Sequence, residues 1–162
     1  MSDDLIIVGA GPAGLAAGMY ASRARVRVRL FEKGVAGGQI NDTSTVENYP
    51  GVGLITGPDL AAQMESQARQ FGLEISYADV SRVSRRAGRF VLSTDSGDEH
   101  ECRALIMATG ASPVKLGIPG EAELAGRGVS YCAVCDGPFY KDQEVAVVGG
   151  GDSAVEEAAY LT

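Results

Sequence analysis

The stretch Leu5-Ile6-Ile7-Val8-Gly9-Ala10-Gly11-Pro12-Ala13-Gly14 joins a short apolar run to a G-x-G-x-x-G loop. The run Leu5–Val8 predicts a buried parallel strand, and the residues after the loop predict a helix over 12–22. Pro12 suits the first turn of that helix, where its missing N–H is not needed. In such loops the first glycine permits a tight turn, the second lets the backbone approach a pyrophosphate, and the third lets helix and strand pack closely.

A carboxylate follows this loop at the expected place. The next strand is predicted over Val26–Phe31, and Glu32 comes at its end, where a carboxylate accepts a hydrogen bond from a ribose hydroxyl. The strand, loop, helix and acid together predict a dinucleotide site, although they do not distinguish FAD from NAD. The alternative is a plain strand–helix turn followed by a solvated Glu32.

The same unit recurs near the end of the chain. The apolar run Val145–Val148 precedes Gly149-Gly150-Gly151-Asp152-Ser153-Ala154, a G-x-G-x-x-A loop in which Asp152 and Ser153 are suited to hold the turn and the start of a helix. The recurrence predicts an α/β chain with two related nucleotide-binding lobes.

Other elements follow from periodicity and turn residues. A helix beginning near Pro58 and stopped by Gly72 is predicted to place one apolar face inward, made of Leu60, Ala61, Met64, Ala68 and Phe71. Short strands are predicted over 74–77, 89–94 and 104–108, with a turn at 96–98. The residues 34–57 form a long irregular stretch, and 111–120 a connection between lobes.

Between the two loops lies Cys132-Ala133-Val134-Cys135-Asp136. A Cys-x-x-Cys pair can form a reducible disulfide in which one thiol is activated, and Asp136 beside it can pass a proton. Two other interpretations are a zinc half-site completed by His100 and Cys102, which flank a predicted strand, and a pair of inert buried thiols. Cys102 is expected to be a small core residue.

Composition excludes several classes of function. The formal net charge is −7, which argues against binding nucleic acid through bulk electrostatics. The sequence offers no apolar run long enough to cross a bilayer and no basic, apolar leader at its start. With only three cysteines, a reducing cytoplasmic location and no membrane partner are expected.

The chain resembles the N-terminal half of bacterial-type, low-molecular-weight thioredoxin reductases, a class of pyridine nucleotide-disulfide oxidoreductase. The matching residues occur in family order along the whole chain: Gly9–Gly14, Glu32, Gly37–Gln39, Glu47–Gly51, Ala108–Gly110, Cys132–Gly137 and Gly149–Ala154. The position of the first loop near the N-terminus, Gly37–Gln39 and Thr109-Gly110 all favour FAD there.

The resemblance implies a function and a set of site residues. FAD would bind the first lobe through Gly9, Gly11, Pro12, Ala13, Gly14, Glu32, Gly38, Gln39, Asn48, Thr109 and Gly110. NADPH would bind the second through Gly149, Gly151, Ser153 and Ala154. Cys135 would face the flavin, Cys132 would attack the disulfide of a thioredoxin-like protein, and Asp136 would be the acid. A full-length member is expected to be a homodimer.

The expected architecture is a Rossmann-like FAD lobe of three-layer character over residues 1–112, then the start of a truncated Rossmann-like NADPH lobe over 113–162. The resemblance also implies a missing second half, so the chain alone is expected to be inactive. Two related enzymes remain open: a flavin-dependent dithiol oxidase, and the reductase of a peroxide-reducing system, against which Met1 directly before the first strand argues. A non-catalytic truncated fragment is the alternative from another class.

Overall fold

The computed structural model describes residues 3–162, which form two compact units. The first comprises the chain up to Val46 together with Leu54–Ser112, and the second comprises Glu47–Gly53 together with Pro113–Thr162.

The first unit is built on one six-stranded sheet of order β3-β2-β1-β6-β5-β4. The strands are β1 (Asp3–Val8), β2 (Val28–Glu32), β3 (Glu74–Tyr77), β4 (Val80–Arg86), β5 (Arg89–Thr94) and β6 (Glu99–Met107). Strands β3, β2, β1 and β6 run parallel, whereas β4, β5 and β6 form an antiparallel meander. β6 therefore belongs to both parts of the sheet.

Two helices accompany the parallel strands, α1 (Pro12–Arg23) and α2 (Gly57–Gln70). Thr56 caps α2 by accepting the Asp59 N–H at 3.2 Å, and Gly72, with φ of +87°, follows the end of this helix as predicted. At Gly18 in α1 an added Cβ would lie 2.6 Å from Cδ2 of the buried Leu73, so a larger residue there would have to displace the Leu73 side chain.

The core lies on both faces of the parallel strands. Adjacent residues of β1 point to opposite faces, so Ile7 belongs to a cluster with Leu15 of α1 and Ala68 of α2, whereas Ile6 packs with Phe31, Leu92 and Cys102. The helices therefore cover one face of the parallel strands and meander residues pack against the other, in agreement with the expected three-layer character. Cys102 is fully buried in this second cluster, again as expected.

Several predicted boundaries in the first unit were wrong. β2 begins at Val28 rather than Val26, because the chain leaves α1 through Arg25 at φ of +58° and Val26 still donates to Ala21. β4 was missed because it is a serine- and arginine-rich strand with mostly exposed side chains. β6 begins at Glu99, so His100 and Cys102 lie within this strand and do not flank it.

The irregular stretch 34–57 holds a short 3₁₀ helix, Gly38–Asp42, and an isolated bridge between Val46 and Ile55. The predicted turn at 96–98 is confirmed by the Gly97 N–H, which donates to Thr94 at 3.0 Å.

The second unit contains α3 (Ala133–Asp136), a 3₁₀ helix at Gly137–Tyr140 and α4 (Asp152–Tyr160). The strand predicted at Val145–Val148 is absent from the described residues, where this run is irregular and Val148 is 66% exposed. A strand needs a neighbour to satisfy its N–H and C=O groups, and nothing within residues 3–162 pairs with this run.

Candidate dinucleotide loop and dithiol site

The first glycine loop is held by two backbone contacts that exclude side chains. Gly9 has φ of +102°, and a Cβ there would overlap the carbonyl oxygen of Ala108 at the end of β6. A Cβ at Gly14 would overlap the carbonyl oxygen of Gly9. The glycines therefore let β1, β6 and α1 meet at the carboxyl edge of the parallel strands, where α/β sheets bind ligands.

Gly11, by contrast, faces free space. A Cβ on Gly11 would come within 4 Å of no atom of residues 3–162 outside its chain neighbours, and its φ of −70° is open to any residue. Gly11 directly precedes α1, whose first residue is Pro12, and within the described chain no side chain caps this helix end. The free N–H groups and positive end of the helix are suited to a phosphate.

Glu32 ends β2 beside this loop. Its Oε2 accepts the Ala10 N–H at 2.7 Å, and its Oε1 accepts the Gly34 N–H at 2.8 Å. Each carboxylate oxygen has two acceptor positions, so one on each oxygen is still available to a hydroxyl. The carboxylate is thus fixed next to the glycine loop.

Other residues predicted for this site lie around the same edge. The Gly37 N–H donates to Ala10 at 2.8 Å, and a Cβ on Gly38 would stand 3.4 Å from Cα of Gly11. Thr109 and Gly110 follow β6, the parallel neighbour of β1. The Gln39 amide donates to the Ala111 carbonyl. Ala13 lies in the first turn of α1 and is exposed.

Asn48 is the one predicted FAD residue outside the first unit. It lies in Glu47–Gly53, an exposed segment that belongs to the second unit.

The dithiol pair opens α3. Cys132 and Cys135 are joined by a disulfide with Cα atoms 5.3 Å apart, and Cys132 Sγ also accepts the Cys135 N–H at 3.2 Å. Cys135 is exposed and Cys132 half-buried, so the pair is accessible to a reductant. The interpretation as inert buried thiols is therefore wrong.

Two further side chains hold this short helix. Ser130 Oγ accepts the Cys132 N–H at 3.1 Å and donates to Asp136 Oδ2 at 2.5 Å. Glu157 of α4 accepts the Ala133 N–H at 3.3 Å. Neither Ser130 nor Glu157 is among the site residues predicted from the sequence. A serine often bonds the backbone N–H two residues further on, so Ser130 could have been predicted from its place before Cys132, whereas nothing in the sequence indicates Glu157.

The second glycine loop leads directly into α4. Gly149 has φ of +149°, and a Cβ on it would stand 2.9 Å from Cβ of Ala154. Gly151 is the N-cap residue, and in the described structure neither Asp152 nor Ser153 caps the helix with its side chain, so the expected capping role was wrong. The loop is exposed along its whole length from Gly149 to Ser153.

A buried carboxylate that was not predicted from the sequence fixes the segment before the dithiol. Glu121 is 5% exposed and accepts the N–H groups of Leu116 at 2.9 Å and Gly117 at 2.7 Å and the Tyr131 hydroxyl at 2.8 Å. These donors, the Leu116 N–H first among them, lower the pKa of Glu121, and the same bond to Glu121 raises the pKa of Tyr131. Lys115 also lies over the Tyr131 ring, 5.5 Å from its centroid.

The described residues offer neither a metal-binding cluster nor a membrane-spanning helix. Residues 3–162 contain no group of three or more His, Cys, Asp or Glu placed to hold a metal ion. No helix formed by these residues is both long enough and apolar enough to cross a membrane.

The fold, the glycine loop and the dithiol agree with what comparison with known proteins finds. Residues 3–162 match the pyridine nucleotide-disulphide oxidoreductase family, and the chain belongs to it. It is 55% identical over 159 residues to the thioredoxin reductase of Listeria innocua and 52% identical over 159 residues to that of Bacillus subtilis, each match covering 98% of this chain and 50% of the relative.

Solved structures give the same result. The thioredoxin reductase of Streptococcus pyogenes is 46% identical, with a TM-score of 0.94 over 99% of this chain and 52% of that one. The enzyme of Giardia duodenalis is 40% identical, with a TM-score of 0.90 over 99% and 52%. The chain thus spans about half the length of the relatives that it matches.

Acid should release the Glu121 contacts. Because the folded pKa of Glu121 is lowered, its stabilising contribution is complete above the ordinary value of about 4.3 and is lost as the pH falls through the folded pKa. Above about pH 5, we expect the Leu116 and Gly117 amides to be better protected from hydrogen exchange in the wild type than in Glu121→Gln. In more acidic buffer, the ratio of the wild-type protection factor to that of the variant should approach one.

Comparing both proteins at each pH cancels the intrinsic pH dependence of exchange. Glu123→Gln, which removes an exposed charge from the same segment, should leave the protection unchanged. A protection ratio that stays constant down to acidic pH would contradict the role assigned to Glu121.

Proposed function

We propose that this chain carries the FAD-binding loop and the redox dithiol of an NADPH-dependent flavoprotein that reduces a thioredoxin-like protein. The observation that carries the proposal is the accessible Cys132–Cys135 disulfide, followed directly by Asp136, in a chain whose first glycine loop leaves Gly11 facing free space. FAD and NADPH are the cofactors of the thioredoxin reductase family, in agreement with the prediction from the sequence.

The residues of the first loop fit a dinucleotide. Gly9 and Gly14 have no room for a Cβ, whereas Gly11 has room that the described protein atoms do not use. We propose that the pyrophosphate lies against Gly11 and the start of α1, and that Glu32 accepts a ribose hydroxyl with its two remaining acceptor positions. When bound, FAD supplies two-electron exchange between a nicotinamide and a disulfide.

The remaining predicted residues take their roles from this arrangement. Pro12, Ala13, Gly38, Gln39, Asn48, Thr109 and Gly110 would complete the FAD site. The second loop would hold the pyrophosphate of NADPH at the start of α4 through Gly149, Gly151, Ser153 and Ala154. We assign residues 1–112 to the FAD lobe and 113–162 to the start of the NADPH lobe.

The dithiol chemistry is disulfide exchange. We propose that Cys135 exchanges electrons with the flavin and that, once both cysteines are reduced, the Cys132 thiolate attacks one sulfur of the partner's disulfide. The bond between the partner's sulfurs breaks, and the leaving thiolate takes from Asp136 the proton that Asp136 accepted when the Cys132 thiol became a thiolate. Cys135 then displaces the partner from Cys132 and re-forms the Cys132–Cys135 disulfide. The proton of the Cys135 thiol goes to the second leaving sulfur, so the partner is left with two thiols.

The expected cytoplasmic location, homodimer and absence of nucleic-acid and membrane partners stay predictions. The thioredoxin-like partner is supported by the names of the relatives, which are thioredoxin reductases.

Gly11→Ala should weaken FAD binding without unfolding the protein. The added methyl meets no described protein atom and the φ of −70° tolerates it, but it occupies the proposed pyrophosphate position. We expect the Kd for FAD to rise at least about 10-fold, which corresponds to a loss of about 1.4 kcal/mol of binding free energy. The Kd is measured by titrating FAD into the natural protein from which the flavin has been removed. Gly14→Ala is the contrast, because its methyl overlaps the Gly9 carbonyl and should prevent correct folding. A folded Gly11→Ala protein with wild-type FAD affinity would argue against this site.

Replacing each of the two cysteines should block a different step of the electron transfer. In the natural protein, Cys132→Ser should still let NADPH bleach the flavin spectrum but should not reduce thioredoxin, whereas Cys135→Ser should lose electron transfer from flavin to sulfur. A thioredoxin variant lacking its resolving cysteine should form a mixed disulfide through Cys132, detected by mass spectrometry. Efficient trapping through Cys135 instead would reverse the two roles.

A polypeptide of residues 1–162 alone should not turn over. Val145–Val148 is exposed and unpaired within residues 3–162, so the second glycine loop lacks the strand that normally supports a nicotinamide site. With FAD and oxidised thioredoxin in excess, NADPH oxidation should stay at background, whereas the full-length relative from Bacillus subtilis serves as the positive control. A robust rate from the polypeptide would refute this expectation.

A further inference from the structure

The hydroxyl of Ser130 connects the first cysteine of the pair to the carboxylate that follows the second. Ser130 Oγ accepts the backbone N–H of Cys132 at 3.1 Å and donates to Asp136 Oδ2 at 2.5 Å. Ser130 itself is exposed, whereas Asp136 is half-buried. The three residues therefore close a small hydrogen-bonded ring around the start of α3.

The Ser130 hydroxyl has only one proton to donate. The Cys132 carbonyl oxygen also lies 3.2 Å from Oγ, but Oδ2 of Asp136 is nearer, at 2.5 Å. The Cys132 carbonyl in turn accepts the Asp136 N–H at 3.1 Å, so it is satisfied without Ser130. The Ser130 hydroxyl therefore donates its hydrogen bond to Oδ2 of Asp136.

This bond fixes a side chain that would otherwise rotate. Asp136 is the last residue of the four-residue α3, and a helix of one turn does not hold its own side chains in place. With the bond, one carboxylate oxygen is tied through Ser130 to the backbone of Cys132, the residue that attacks the partner in the function proposed above.

We propose that Ser130 is a positioning residue for disulfide exchange, which holds the Asp136 carboxyl group where it can protonate the thiolate that leaves when Cys132 attacks a disulfide. The inference rests on the proposed function. Before the step concerned, the Asp136 carboxylate takes up the proton that the Cys132 thiol loses as its thiolate forms. The bond from Cys132 to one partner sulfur then forms, the partner's sulfur–sulfur bond breaks, and Asp136 passes that proton to the leaving sulfur.

Two disulfides whose leaving thiolates differ in basicity distinguish a role in positioning the acid from a purely structural role of Ser130. An alkyl disulfide such as bis(2-hydroxyethyl) disulfide releases a basic thiolate that gains from a proton, whereas 5,5′-dithiobis(2-nitrobenzoate) releases an aromatic thiolate that leaves without one. Loss of a positioned acid should therefore slow exchange with the alkyl disulfide only, and a disturbed dithiol should slow both.

The experiment measures single-turnover oxidation of the reduced natural protein by each disulfide. Ser130→Ala should be between about 2- and about 10-fold slower than wild type with the alkyl disulfide, the range for one lost hydrogen bond, and unchanged with the aromatic one. Ser130→Thr keeps the hydroxyl at an exposed position and should restore the rate. Asp136→Asn should also be slow with the alkyl disulfide, and adding Ser130→Ala to it should have no further effect.

Ser96→Ala is the matched control, because it removes another exposed serine–aspartate bond, to Asp98 at 2.8 Å, from the turn between β5 and β6. It should exchange at the wild-type rate with both disulfides. The inference is overturned if Ser130→Ala slows both disulfides equally, if it slows neither, if Ser130→Thr is as slow as Ser130→Ala, or if Ser130→Ala slows Asp136→Asn further.

Failure of the proposed function would show elsewhere. It is judged by whether NADPH bleaches the flavin of the wild-type protein and whether Cys132→Ser abolishes thioredoxin reduction. Neither result depends on Ser130.

Discussion

The approach of backbone to backbone at Gly9 and Gly14 is the constraint on which the first unit depends. Gly14 lies on the carbonyl of Gly9, and Gly9 in turn lies on the carbonyl of Ala108. No side chain fits at either contact, so β1, β6 and α1 can converge at one point only with glycine at both positions. The position of Gly11, the one glycine of the loop with free space, follows from that convergence.

Glu32 and the turn at Gly37 are fixed by contacts with the same loop. Ala10, within the loop, donates its N–H to Glu32 and accepts the N–H of Gly37 through its carbonyl oxygen. The loop backbone is thereby hydrogen-bonded on both sides by protein atoms, and its open side is left to a ligand. In the function proposed above, a loop held in this way before the dinucleotide binds needs little reorganisation, which keeps the cost of binding low.

The dithiol segment is held by side-chain hydrogen bonds rather than by close backbone packing. α3 is only four residues long, and such a helix is marginal by itself. Its ends and approach are instead fixed by side chains from outside the helix: Ser130 on Cys132 and Asp136, Glu157 on Ala133, and Glu121 on the segment before it. Since the bonds to Glu121 lower the pKa of this carboxyl group, the geometry of the segment before the dithiol depends on pH.

Much of this architecture could be read from the sequence. The strand, glycine loop and helix at Leu5–Gly14, the acid at Glu32, the helix that ends before Gly72 and the redox pair all have local signatures, because glycine at a fixed spacing and apolar periodicity are direct consequences of backbone geometry. The family followed from the order of these motifs.

The tertiary structure decided what depends on partners distant in sequence. β4 has no apolar alternation and exists because β5 pairs with it, whereas Val145–Val148 has the composition of a strand but no partner within residues 3–162. The contacts of Ser130, Glu157 and Glu121 with the dithiol segment are likewise set by the folded chain, because a hydrogen bond from a side chain leaves no periodic trace in the sequence. Local backbone requirements are thus written in the order of residues, whereas strand pairing and polar contacts are settled only when distant segments meet.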